Sequence, residues 1–331
     1  MTAAETTDQP GSVHNIPLGM MWGAGAGALW GLIMLAPELV RAFTPLQLST
    51  GRYLAYGVIA AVLAAPRWRR LVSGLDRHDW FALFWLSLLG NTLYYILLSM
   101  AVRTGGIALT SLVMGFLPVV VTIVGSRDRG AVSLAALAPS LLLCAGGAIC
   151  IGWQAVASPG ATGQSVTGLV FAVMALASWT SYTVGNSRCL MRLSDISVDD
   201  WNLLTGLMTG AQAVLLVPAA FLIHGSHHDP GEWEWFALVA ITLAITASIF
   251  GNAFWNRMSR LVPLTMTGQM ILFETLFALI YGCLWEDRWP RPLEMAAFVL
   301  IVLSVLTCVS VHHRRVSGRR NTSESLAENG V

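Results

Sequence analysis

The chain has 331 residues, of which 55% are hydrophobic and 11% charged, with a formal net charge of +1 at pH 7. A soluble domain carries charge on about a quarter of its residues, so this composition excludes a protein with water as its main solvent. All 19 basic residues are Arg and lie scattered through short connections, which excludes the basic and aromatic face of a nucleic-acid binder.

A helix needs about 20 apolar residues to cross a bilayer core. Runs of that length fall in chain order at 18–37, 46–65, 79–102, 106–125, 133–153, 165–187, 201–223, 233–255, 264–284 and 293–311. The expectation is an all-α membrane protein with ten transmembrane helices. Residues 1–17 form a polar tail without a basic residue, and the run after them is too long for a signal-peptide core, so span 1 is expected to persist. A disordered polar tail is expected over 316–331. The five cysteines lie in or beside apolar runs without CxxC spacing and read as small apolar packers.

An even number of spans puts both termini on one side, and arginine placement chooses it. With the amino end inside, the inward connections and tail hold Arg67, Arg69, Arg70, Arg77, Arg127, Arg129, Arg188, Arg192, Arg257, Arg260, Arg314, Arg315, Arg319 and Arg320. The outward connections hold only Arg41, Arg103, Arg288 and Arg291. Both termini are therefore expected to be cytoplasmic, in a multi-pass protein of a bacterial-type inner membrane.

The chain also matches itself. A shift of 155 lays Leu48, Thr50 and Gly51 on Leu203, Thr205 and Gly206, and Trp80-Phe81-Ala82-Leu83 on Trp235-Phe236-Ala237-Leu238, each tetrapeptide preceded by an acid, Asp79 or Glu234. Trp30 corresponds to Trp179 at a shift of 149. Five spans per half force the second copy to enter from the opposite side, so 18–155 and 156–315 are expected to be inverted repeats. Such repeats place a substrate site near the midplane, between the halves.

This pattern resembles the drug/metabolite transporter superfamily, specifically the ten-helix EamA-type exporters. The local marks are Leu29-Trp30-Gly31 in span 1, Pro118-Val119-Val120 in span 4 and Phe273-Glu274 in span 9, where Thr275 stands in place of the family's proline. The resemblance implies efflux of metabolites, amino acids or drugs, coupled to a proton gradient.

Glu274 falls about ten residues into span 9, roughly 15 Å along its axis and so near the midplane. A carboxylate there is costly and ordinarily faces a cavity or a partner. It reads either as a proton-coupling or cation-recognising group or as a protonated carboxyl bonded to nearby backbone. Arg52, inside span 2, is expected to snorkel toward the headgroups; the sharper alternative is recognition of a substrate carboxylate or of Glu274.

Helical spacing puts Trp30 with Met34, Asn91 with Tyr94, and Ser111 with Met114 and Pro118 on shared faces. In the second half the same spacing joins Trp179 with Tyr182 and Thr183, Asn252 with Trp255, and Thr267 with Met270 and Glu274. These faces suit a mostly apolar cavity whose few polar groups orient a ligand, and its rings favour flat or cationic solutes. Pro118 is a candidate hinge. Gly206 and Gly210 form a small-xxx-small pair, read as close helix packing or as a homodimer contact.

No histidine is expected at the midplane, and HExxH and GxSxG are missing from the sequence, so an enzyme is not expected and neither metal nor cofactor is implied. The cluster His224, His227, His228 and Asp229 reads as a solvated loop. The expected function is an exporter of a small-molecule substrate by alternating access, with a membrane ligand sensor or an intramembrane enzyme as the alternative.

Overall fold

The structure is a computed structural model that describes residues 15–128, 131–157, 166–193, 195–222, 228–285 and 287–328; every regular element among them is helical. Chain entry into lipid is set by caps. Asn15 caps α1 (Ile16–Gly31) by accepting from the Leu18 amide, and Thr44 and Gln47 form a reciprocal box with Pro45 at the start of α3 (Pro45–Ala64). Asp76 and Asp79 do the same for α5 (Arg77–Ser87). These side chains take up amide groups that have no partner within the first helical turn.

Between α1 and α3, a 3-10 turn over Leu32–Leu35 leads into the short α2 (Ala36–Leu39). After α3, a second turn and α4 (Trp68–Ser73) reach α5, which continues through a π segment, Leu88–Thr92, into α6 (Leu93–Met114). Next come α7 (Leu117–Gly125), α8 (Leu134–Ala157), α9 (Val166–Arg192) and α10 (Val198–Val217). The remainder is α11 (Pro230–Leu243), a π segment Ala244–Gly251, α12 (Asn252–Leu261), α13 (Leu264–Met270), α14 (Leu272–Trp285) and α15 (Pro292–Glu328).

Eight helical stretches among the described residues are long and apolar enough to cross a membrane. The runs expected at 18–37 and 106–125 are not among those eight; the helix of the second breaks at Gly115–Phe116. At the other end of the chain α15 continues to Glu328, past residue 316 where a disordered tail is expected. Nothing after Pro292 is a proline, and Glu324, Leu326, Ala327 and Glu328 are good helix formers.

Helices from the first and second parts of the chain pack on one another, α6 on α9, α3 on α10, α8 on α15, α1 on α14 and α12, and α7 on α13. Gly57 of α3 meets Gly210 of α10, and farther along the same antiparallel crossing Arg67 meets Asp200. Thr122 of α7 donates to the Thr265 carbonyl at the start of α13. Ser140 of α8 and Ser304 of α15 each donate to the other's backbone carbonyl, at 3.0 and 2.7 Å.

At the centre of the α3–α10 crossing, a Cβ added to Gly57 would lie 2.6 Å from the Gly210 Cα. Lipid gives no hydrophobic drive for helix association, so close approach at small residues carries much of the packing. Gly206 packs on Tyr56 and Ala60 of the same α3, so its small-residue face is used within the chain. We expect Gly57→Val to lower stability by about 1–3 kcal/mol, because backbone cannot yield as a side-chain tip can. A thermal unfolding midpoint of the detergent-purified variant equal to that of the wild type would disprove this.

Candidate functional site

A cavity of about 330 Å³ lies among α1, α3, α6, α9 and α14. Two local features shape it, the π segments Leu88–Thr92 and Ala244–Gly251. Such wide turns are frequent at functional sites. Each presents a glycine to a ring from the other half. A Cβ on Gly90 would lie 2.4 Å from the Tyr182 ring, and one on Gly251 would lie 2.6 Å from the Trp30 Nε1. Trp30 Nε1 also donates to the Ala247 carbonyl at 3.0 Å, and Ser178 Oγ donates to the Leu89 carbonyl at 2.8 Å. Trp30 and Tyr182 are thus laid against bare backbone at the cavity wall.

The aromatic wall is continuous. Trp30 and Trp179 meet edge to face with centroids 6.2 Å apart, and Trp255 lies 5.2 and 5.7 Å from the two. Tyr94 and Tyr182 continue it at 6.1 and 5.8 Å from Trp179. These spacings fall in the range in which aromatic pairs attract beyond their area.

Arg52 does not snorkel. It is buried, its Nε donates to Ser248 Oγ at 3.0 Å, and it lines the cavity together with Glu274. No ion pair within 4.0 Å joins Arg52 and Glu274 among the described residues. One cationic and one acidic group therefore face the same space without being consumed by each other. Glu274 owes its place to the turn at Ile271, which separates α13 from α14 one turn earlier. A second such break lies at Gly115–Phe116.

Of the residues read from sequence as lining, Trp30, Asn91, Tyr94, Met114, Trp179, Tyr182 and Asn252 do line the cavity. Trp255 stands behind Trp30 and Trp179 as a buried support. Thr267 and Met270 are buried elsewhere, Thr267 bonded to the Pro263 carbonyl and Met270 packed on Gly23. Pro118 sits in the first turn of α7, where its missing amide hydrogen removes no helical bond. The side chains of Met34 and Ser111 lie outside the described residues, as do His224 and His227. His228 packs on the Phe43 ring at 4.1 Å.

Lining residues that sequence reading passed over include Tyr53, Tyr95, Leu98 and Thr275. Tyr95 and Leu98 were within reach, since 91, 94, 95 and 98 share one helical face. Another surprise is His312, which is buried at the end of its span with Nε2 2.8 Å from Thr265 Oγ1.

The two ends of the bundle differ. At the end carrying the arginine-rich connections, ion pairs tie the halves together: Arg67 with Asp200 at 3.3 Å, Arg188 with Asp128 at 2.6 Å, and Arg192 with Asp79. Arg260 adds donations to the Leu190, Leu193 and Ile196 carbonyls. At the opposite end the halves meet through rings, Phe43 on Phe236 and Trp233, and through Trp235 Nε1 donating to the Leu39 carbonyl. Moving away from the arginine-rich end, the cavity runs from Asn91 and Tyr182 toward Leu98, Ile33 and Ala278.

A bundle of apolar helices around a ring-walled cavity with one buried cation and one acid is the architecture of a membrane transporter. The profile of the EamA-like transporter family matches residues 17–127 and 166–310, and the chain belongs to that family, within the drug/metabolite transporter superfamily. It is 28% identical over 327 residues to the inner membrane protein YtfF of Escherichia coli (strain K12), spanning 94% of this chain and 99% of that protein. A solved crystal structure shares the fold with a TM-score of 0.71 and 18% identity, covering 89% of this chain and 98% of its own. The protein is a multi-pass inner-membrane protein.

Proposed function

We propose that this transporter exports small metabolites, amino acids or drugs by alternating access, drawing on a proton gradient, and catalyses no reaction. In this reading ten helices form two inverted repeats, 18–155 and 156–315, with both termini cytoplasmic. The matched π segments, the matched breaks at Gly115–Phe116 and Ile271, and the reciprocal Ser140–Ser304 bonds all support the repeat. Arginine-rich connections then lie in the cytoplasm, as the charge rule demands.

The observation that carries the function is the cavity itself, where Arg52 and Glu274 face a space walled by Trp30, Trp179 and Tyr94. Such a lining fits a solute with a flat apolar body and charged or polar ends. With the ion-paired end cytoplasmic, the conformation is closed to the cytoplasm and its cavity lies toward the outer side, the state in which an exporter releases cargo.

An efflux screen of amino acids, nucleobases and cationic drugs in overexpressing cells tests this. At least one solute is expected to accumulate less than in cells without the protein. A steady leak current through reconstituted vesicles, with no solute exported, would replace the carrier with a channel.

A further inference from the structure

Between the cavity and the ion-paired end, α9 and α12 run side by side. Trp179 faces Trp255, then Asn186 Nδ2 donates to Asn256 Oδ1 at 2.9 Å, then Arg260 donates to the Leu190 carbonyl. On these helices lie Thr183 and Ser187, and Trp255 and Ser259, each pair four residues apart and so on one face. All four are 2% exposed or less. None of Thr183 Oγ1, Ser187 Oγ, Trp255 Nε1 and Ser259 Oγ has a hydrogen-bond partner among the described residues.

Such groups are uncommon, because a buried donor or acceptor without a partner loses the hydrogen bonds it makes to water. A helical hydroxyl usually escapes by bonding the carbonyl four residues back. Elsewhere in this protein hydroxyls do that: Ser181 to Ala177, Thr205 to Trp201 and Thr246 to Thr242. Among the described residues Thr50 Oγ1, Ser87 Oγ, Thr180 Oγ1 and Gln269 Nε2 also lack a partner, but the four above, on α9 and α12, follow one another along one seam from the aromatic wall toward the ion pairs.

We propose that Thr183, Ser187, Trp255 and Ser259 line the cytoplasmic half of the translocation path. The seam is dry and shut in this conformation, and its polar groups meet water and solute once the halves part at Arg67–Asp200 and Arg192–Asp79. This rests on the alternating-access reading and adds the route by which cargo enters from the cytoplasm. The cavity supplies one half of the path and the seam the other, so a polar solute would meet hydrogen-bonding groups along both.

The test is thiol labelling in the full chain, with its five native cysteines replaced by alanine and a charged, membrane-impermeant methanethiosulfonate as probe. Ser187→Cys and Ser259→Cys are expected to react in inverted vesicles, which expose the cytoplasmic face. Adding Asp200→Asn, which removes one ion pair, is expected to raise the rate by about fivefold. Hydroxyl-radical footprinting of the unsubstituted protein at Trp255 reads water access without any variant, and oxidation there is expected. Asn91→Cys reports on the cavity. If it reacts from both faces while Ser187→Cys, Ser259→Cys and Trp255 stay untouched, the seam is not the path and alternating access survives. Reaction of Asn91→Cys from one face only would overturn alternating access, and the seam proposal with it.

Discussion

Glu274→Gln is expected to cut proton-driven export by tenfold or more and to leave the remaining flux indifferent to pH. The substitution keeps shape and hydrogen-bonding capacity but can neither gain nor lose a proton, so it separates coupling from packing. If the carboxylate makes one charge-assisted hydrogen bond to cargo that the amide makes only as a neutral group, the loss is about 1.5–3 kcal/mol, or about 10- to 100-fold. Glu274 faces the cavity with Arg52, while Gly27 brings α1 backbone against Phe273 and the Glu274 amide, so the backbone that carries the carboxyl is held against α1. Export would be followed in cells loaded with whichever solute the efflux screen returns, across external pH values. A Gln variant with wild-type flux and wild-type pH dependence would reduce Glu274 to a packing residue.

Much of this site could be read from residues alone. Trp30 and Trp179, both at the cavity, stand out in the sequence as rings deep in apolar runs, and an acid near the middle of such a run marks itself by its cost in lipid. What failed to show was register. Reading Thr267, Met270 and Glu274 as one face assumes an unbroken helix, yet the turn at Ile271 ends α13 there, and only Glu274 reaches the cavity. The wide turns at Leu88–Thr92 and Ala244–Gly251 left no pattern either, because a segment with five residues per hydrogen bond is too short to alter hydrophobic periodicity. Ion pairs such as Arg192 with Asp79 join residues far apart in the chain, and charge alone does not say which arginine meets which acid.

At the shift of 155 Arg52 falls on Leu207, an apolar residue. Arg52 is buried and bonded to Ser248 of the second π segment, at the cavity wall. A guanidinium in this position can bind a carboxylate with several donors while Nε stays anchored.

Arg52→Leu is accordingly expected to reorder the solutes exported. Leucine fills similar apolar volume, and the repeat tolerates it at the matching position, so expression and fold should hold. Export of solutes that carry a carboxylate should fall by about 10- to 100-fold, the cost of losing a charged hydrogen bond. Cationic and neutral flat solutes keep the aromatic wall of Trp30, Tyr94 and Trp179 and should pass at close to the wild-type rate. The measurement is parallel efflux of a carboxylate-bearing solute and of its amide. Equal losses for the two would show that Arg52 holds Ser248 and the α3 packing in place, and that the cargo is recognised elsewhere.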